Sequence, residues 1–334
     1  MKANLALAMM VLDGNVSDPD IRRIAFDSLA LCCPVISTTF ASAASLFGNM
    51  GPDSIGWLLI DEAGQATPQN AAGAIWRSRR TIAVGDPLQL EPVSTVPHSI
   101  EAALAKHFSD TPECWWPSRT SVQVMADQNN AVGTYLQQQA NAGGEPQQWV
   151  GAPLRVHRRC DEPMFSISNR IAYNGLMVHQ KPTPTIAWPP SAWIDITTQP
   201  GERKKSGNWI PEEGEALRRL LGDLIGTHGV PSGEIFVVSP FTDVKKELFP
   251  CTRAFGIDRS RVGTVHTTQG KQAEVVVLVL GGGTPGARNW AASAPNLLNV
   301  AASRAISRLY VIGDRGDWSR RPFFDTLAAG LGRH

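Results

Sequence analysis

The sequence predicts an α/β fold with parallel sheets, and three observations carry that expectation. Several of its short apolar runs end in a small or acidic residue, as parallel strands do when they deliver side chains to the carboxyl edge of a sheet. Segments with apolar residues at helical spacing lie between those runs, so strand and helix alternate. At 334 residues, with 43% hydrophobic and 18% charged residues, the chain can fill two domains that each bury a core.

In chain order, the opening MKANLALAMMVLDG reads as a helix, since no small-residue cleavage site precedes the acidic DGNVSDPD. CCPVIST (32–38), WLLIDE (57–62) and RTIAVGD (80–86) read as strands, with PQNAAGAIW a helix between the last two. From 111 to 150 the rhythm breaks at WWP and a Gln/Asn-rich stretch, which predicts an interdomain connection with one helix around Ser121 to Gln139. The proline- and glycine-rich 181–208 reads as a surface loop with one edge strand, AWIDIT. EIFVVSP (234–240), VGTVHT (262–267), EVVVLVL (274–280) and RLYVIGD (308–314) complete the strands, alternating with helical EEGEALRRLLGDLIGTHG and NLLNVAASRA. The expected domains are therefore 1–110 and 151–334, joined by 111–150.

Composition excludes several classes. No apolar run is long enough to span a bilayer, and no fixed-period repeat suggests a solenoid or propeller. Five cysteines, odd in number and without a CxxC pair, suggest reduced thiols in a cytoplasmic protein. Net charge is +1, but residues 1–110 hold 7 Lys and Arg against 11 Asp and Glu (net −4), while 111–334 hold 24 against 19 (net +5). A basic second half suits phosphate contacts, although a shift of this size is also an ordinary solvated face.

The chemistry-bearing residues lie at the strand ends. Hydrolysis of a triphosphate needs Mg²⁺ near the β and γ phosphates, a group that orients the attacking water, and positive charge for the transition state. WLLIDEA ends a strand in Asp61 and Glu62, candidates for a metal-holding and a water-facing carboxylate; taken alone, a solvated strand end accounts for the pair at least as well. In VGDPLQLEPV, Asp86 ends the next strand, and Gln89 follows in a proline-containing turn that can hold an amide near a γ-phosphate. DEAGQ followed by GDPLQL resembles a superfamily 1 helicase, of the branch that includes the nonsense-mediated-decay RNA helicase.

What the resemblance implies extends through nearly all of the chain. DEAGQ and GDPLQL match the family's second and third motifs, with Gln89 the γ-phosphate sensor and Gln65 and Asp86 beside the nucleotide. LRVHRRCDEPMFSISNRIAYNGLM is similar to the fourth, where the tetrad is His157-Arg158-Arg159-Cys160. Tyr173 and Gly175 downstream put Arg159 on the arginine that reaches the γ-phosphate, with Arg158 a second candidate. VGTVHTTQGKQAEVVVLV resembles the fifth: Thr264, His266 and Thr267 face the nucleic-acid backbone, and Gln269, Gly270 and Gln272 the nucleotide. NLLNVAASRA resembles the sixth and makes Arg304 a second finger; a planar, permanently charged guanidinium fits two phosphate oxygens at once. STTFASA resembles the strand-contacting segment of the first domain, with Thr39 and Ser42 as contacts; a plain turn accounts for that segment equally well.

The resemblance implies ATP and Mg²⁺ as cofactors, with Asp61 the metal residue, and single-stranded DNA or RNA as partner. It implies two RecA-like P-loop NTPase domains with parallel sheets. The P-loop pattern GxxxxGK[ST] occurs nowhere: Lys271 follows Gly270, but no Gly lies five residues before that glycine and no Ser or Thr follows the lysine. The expectation is a first domain truncated at its N-terminus, lacking its main phosphate cradle, with weak ATP binding and little turnover alone. A missing N-terminal half or a partner subunit is the further partner; no membrane is expected.

Overall fold

The computed structural model describes residues 2–14, 16, 18–48, 50–89, 92, 96–108, 111–137, 147–182, 186–197, 207–268 and 270–333. The chain divides into two compact units, Met1–Pro87 with Glu91–Ala131, and Leu88–Leu90 with Val132–His334.

The first unit opens with helices α1 (Lys2–Leu12) and α2 (Pro19–Ala30), packed through Ala8, Val11, Ala25 and Phe26. Asp18 fixes the start of α2 by accepting the backbone N–H groups of Asp20 and Ile21, orphan donors of a helix start. Helix α3 (Phe40–Phe47) leads to strand β1 (Leu58–Ile60), helix α4 (Pro68–Trp76) and strand β2 (Thr81–Ala83), which pairs with β1 in parallel. Helices α5 (His98–His107) and α6 (Val122–Gln128) complete the unit. Ile60, Ala63, Ala71 and Val122 form a small core, whereas Leu59 (68% exposed) and Ile82 (43%) lie open.

Residues 32–38 were expected to be a strand and are not one. They run as irregular, exposed chain that pairs with no strand among the described residues. An extended run becomes a strand only when a neighbour satisfies its backbone groups, and Pro34 has no N–H to offer.

The second unit begins with strands β3 (Thr134–Gln137) and β4 (Gln147–Val150), paired antiparallel. This stretch corrects the expectation of a helix reaching Gln139: α6 stops at Gln128, and Gly133 lets the strands meet, since a Cβ there would fall 2.2 Å from the Val150 carbonyl oxygen. Strands β5 (Val156–His157) and β6 (Val178–His179) pair in parallel on either side of helix α7 (Met164–Ala172).

The remaining elements in order are β7 (Ala192–Asp195), α8 (Pro211–Gly222), β8 (Ile235–Ser239), α9 (Thr242–Arg253), β9 (Val262–Thr264), β10 (Ala273–Val279), α10 (Pro285–Ala291), α11 (Asn296–Arg304), β11 (Ala305–Gly313), α12 (Arg315–Trp318), α13 (Phe324–Gly330) and β12 (Gly332–Arg333). The strands form one six-stranded, all-parallel sheet in the order β12-β7-β11-β10-β8-β9. Val275–Leu280 and Leu309–Ile312 are completely buried or nearly so, the continuous apolar pattern of strands covered on both faces. Full burial stabilises each such side chain by about 1.5–3 kcal/mol, so this core fixes the positions of the strand ends. The AWIDIT strand is not an edge: β12 flanks it on one side and β11 on the other, and Trp193 is fully buried with Nε1 donating to the Gly313 carbonyl at 2.9 Å. The architecture is mixed α/β with parallel sheets, as the sequence predicts.

Candidate nucleotide and nucleic-acid site

In the first unit the β1–β2 ladder continues past its named strands, because Val84 N–H donates to the Ile60 carbonyl and Ala63 N–H to the Val84 carbonyl. Two glycines allow the strand ends to touch backbone to backbone. A Cβ on Gly64 would lie 2.9 Å from the Asp86 carbonyl oxygen, and one on Gly85 would lie 2.6 Å from Gly64 N. Asp61, Glu62, Gln65 and Asp86 are thereby brought to one end of this sheet. Glu62 takes a left-handed backbone (φ 52°, ψ 40°), uncommon for a residue with a Cβ and a local strain on the order of 1 kcal/mol. Its N–H donates to Asp61 Oδ1 at 3.0 Å, and Gln65 Nε2 donates to Glu62 Oε2 at 2.9 Å. The carboxylate pair is therefore oriented from both sides.

Among the described residues, no three His, Cys, Asp or Glu side chains form a metal-holding group. Asp61 is a single exposed carboxylate. Mg²⁺ keeps several of its waters and takes one or two carboxylates, so Asp61 fits a hydrated ion. A phosphate cradle is a different requirement, and the sequence contains no P-loop to supply one.

Thr39 and Ser42 are exposed at the start of α3, where Thr39 is the cap residue. Its hydroxyl oxygen accepts Ser42 N–H, and its O–H donates to Ser42 Oγ. That capping explains both residue types in terms of helix stability.

In the second unit, Leu88 and Gln89 are held by α11. Asn299 Nδ2 donates to the Leu88 carbonyl at 3.0 Å, and Asn296 Nδ2 to the Gln89 carbonyl. Arg304, only 3% exposed, donates to Gln89 Oε1 at 3.0 Å and to the Lys271 carbonyl at 3.2 Å. Gln89 and Arg304, 215 residues apart in sequence, are thus hydrogen-bonded partners. Sequence reasoning missed Asn296 and Asn299; their three-residue spacing on one helix face was the available signal.

Arg158 and Arg159 are exposed on the turn that follows β5, and Arg158 reaches Gln180 Oε1 at 3.5 Å. Cys160 beside them is buried, its thiol 3.4 Å from the Ser303 carbonyl; burial pushes that thiol up to about 12.

Strand β9 ends at Thr264, short of the expected 262–267, because the next residues form a tight turn. Thr264 N–H donates to Thr267 Oγ1 at 2.9 Å, and Thr267 N–H returns to Thr264 Oγ1 at 3.3 Å. These hydroxyls accept bonds within the turn, while the His266 and Thr267 side chains are exposed. Gly270 has φ +74° and is exposed, as is Gln272. Gln269 lies outside the described residues.

Known families resolve what this arrangement belongs to. A family described as AAA domain matches residues 21–96, and a second of the same description matches residues 136–316, more than half of the chain. The chain belongs to the AAA-domain family of superfamily 1 helicase type. No curated protein is significantly similar to this AAA-domain chain. Among solved structures it is similar to the arterivirus nonstructural protein 10 (helicase), at 17% identity and a TM-score of 0.38, over 79% of this chain and 41% of that one. The complex of arterivirus nonstructural protein 10 with DNA gives 16% identity, a TM-score of 0.38 and the same coverage. The C-terminal domain of a possible DNA helicase from Lactobacillus plantarum gives 10% identity and a TM-score of 0.34, over 53% of this chain and 98% of that domain. The AAA-domain chain therefore spans about two fifths of the length of the arterivirus proteins it resembles.

Proposed function

We propose that this chain is the motor portion of an ATP-dependent DNA or RNA helicase, a nucleic-acid-stimulated ATPase and translocase. The observation that carries the reading is the bond from the buried Arg304 guanidinium to the Gln89 carboxamide. It joins two residue types suited to γ-phosphate oxygens in a chain whose family is of helicase type.

In this reading, Mg²⁺ bound with ATP supplies charge neutralisation at the phosphates. Asp61 holds the hydrated ion through its carboxylate. Glu62, fixed by Gln65, orients water and accepts its proton. Gln89 reports the γ-phosphate through its amide, and Arg159 and Arg304 donate to the phosphate oxygens. Single-stranded nucleic acid runs along the Thr264–Thr267 turn, where exposed His266 and Thr267 meet phosphates without reading sequence. Lacking the GxxxxGK[ST] cradle, the chain alone binds ATP weakly, and a polypeptide bearing that loop completes the site.

The test is ATP turnover with and without single-stranded DNA or RNA, by this chain alone and with its coding sequence extended upstream to an in-frame GxxxxGK[ST]. Strand-stimulated turnover in the completed form, abolished by Glu62→Gln with ATP binding retained, is expected. A completed form that binds strand but never turns over ATP would refute the motor reading and leave a non-catalytic nucleic-acid-binding protein.

A further inference from the structure

Two histidines grip one residue from opposite sides. Strands β5 and β6 put His157 in register with His179, and the Phe165 ring of α7 contacts both imidazoles, at centroid distances of 5.3 and 4.7 Å. His157 Nε2 accepts the Cys160 N–H at 2.9 Å, and His179 Nε2 lies 3.0 Å from the Cys160 carbonyl oxygen. A carbonyl only accepts, so His179 carries a proton on Nε2. An N–H only donates, so His157 presents a bare Nε2 and carries its proton on Nδ1.

The gripped residue closes the turn that displays Arg158 and Arg159. Cys160 is buried against Ser303, and the Asp161 N–H donates to the Ile306 carbonyl at 2.8 Å, so one end of the turn is tied to the sheet. Across the turn, the His157 imidazole links β5 back to the Cys160 N–H, while the His157 carbonyl accepts Gln180 N–H at 2.9 Å and anchors β5 to β6. We propose that His157 and His179 are positioning residues for Arg159, and that the turn holds its shape only while His157 is neutral. The proposal rests on the reading of Arg159 as the arginine that reaches phosphate.

The charged and titratable groups around His157 agree on one direction. Burial acts first, followed by Arg159 on the same turn, then His179 on β6 and Lys181 just beyond it; together they hold the imidazole below the ordinary 6.5. Asp161, in the turn before α7, is ion-paired to Lys181 at 2.7 Å, and the Arg304 charge of α11 acts on Cys160. Above pH 6.5 the grip is intact. As pH falls below that value, His157 gains a second N–H that opposes the Cys160 N–H, and the bond is lost.

The experiment follows histidine-labelled full chain by nuclear magnetic resonance from pH 8 to pH 5, for the wild type, His157→Gln and His157→Leu, with affinity for a fluorescent ATP analogue measured alongside. Glutamine keeps an acceptor and cannot take the proton; leucine has neither property. The expected wild-type result is a neutral Nδ1–H His157 that titrates below 6.5, with the Cys160 amide moving at the same midpoint. Analogue affinity should fall roughly tenfold on acidification, the scale of one lost charge-assisted hydrogen bond. His157→Gln should lose the pH dependence and keep the affinity, and His157→Leu should be weak at every pH. A Cys160 amide indifferent to His157, or an unchanged pH response in His157→Gln, overturns the proposal. A coupled Cys160 response with flat nucleotide affinity in all three proteins supports the grip and removes Arg159 from the phosphate.

Discussion

Asn299→Ala gives the sharpest test of how the Gln89 segment is held. The side chain is fully buried and makes three hydrogen bonds: Nδ2 donates to the Leu88 carbonyl at 3.0 Å and to Tyr173 Oη at 3.1 Å, and Oδ1 accepts from Ser168 Oγ at 2.5 Å. Each bond contributes about 1 kcal/mol net, and stranding the buried Ser168 hydroxyl adds roughly 1–2 kcal/mol, for a total of about 4 kcal/mol. In a folding unit of this size, each kcal/mol moves Tm by about 2–4 °C, so the substitution should lower Tm by on the order of 10 °C. Calorimetry on the full chain measures that shift, and hydrogen exchange at Leu88 and Gln89 should accelerate in parallel. Ser168→Ala alone should cost about 1 kcal/mol, and the double variant should lose less than the sum because the pair shares a bond. A Tm change under roughly 3 °C for Asn299→Ala, or strict additivity, would refute the hub.

Three further outcomes are expected. Glu213 is fully buried, accepts Gly281 N–H at 2.7 Å and is pushed up to about 8, by burial first, with the Gly281 N–H and Arg288 opposing. The folded state keeps its proton where the unfolded chain has lost it, so this contribution is complete below about pH 4.5 and is lost as pH rises toward 8, by roughly 1.4 kcal/mol per pH unit; urea midpoints should show that slope, and Glu213→Gln should flatten it. Iodoacetamide labelling read by mass spectrometry should modify exposed Cys32 and Cys33 and spare buried Cys160 and Cys251; rapid labelling of Cys160 would contradict its packing against Ser303. Glu62→Gly should raise stability by about 1 kcal/mol, by relieving the left-handed backbone, while ending any ATP turnover; a loss of stability would show that the strain is not stored there.

Apolar runs were legible where packing decides structure. EVVVLVL and RLYVIGD are strands because both of their faces are covered, and nothing beyond their own composition was needed to see it. CCPVIST has similar composition but pairs with no strand among the described residues, and a neighbour is not written in the run itself. AWIDIT was legible as a strand, but its place inside the sheet depends on Gly332 and Arg333, some 140 positions later. The site residues show the same division. The carboxylates at the end of β1 follow from local sequence, whereas the pinning of Gln89 by Asn296, Asn299 and Arg304 depends on tertiary contacts. Thr39 and Thr264 illustrate the ambiguity of small hydroxyls, since both are engaged in local caps that any ligand role must share.

The open face of the first unit's parallel pair has a consequence for the protein in solution. Leu59, Ile82, Trp57 (55% exposed) and Val84 (41%) lie on or beside that two-stranded sheet, and the chain carries a net charge of only +1, with an isoelectric point near 7.7. Greasy surface and vanishing charge repulsion coincide at neutral pH, the condition under which colloids flocculate. Preparations should stay dispersed more readily at pH 9 than at pH 7.7, and light scattering across that interval would track the effect.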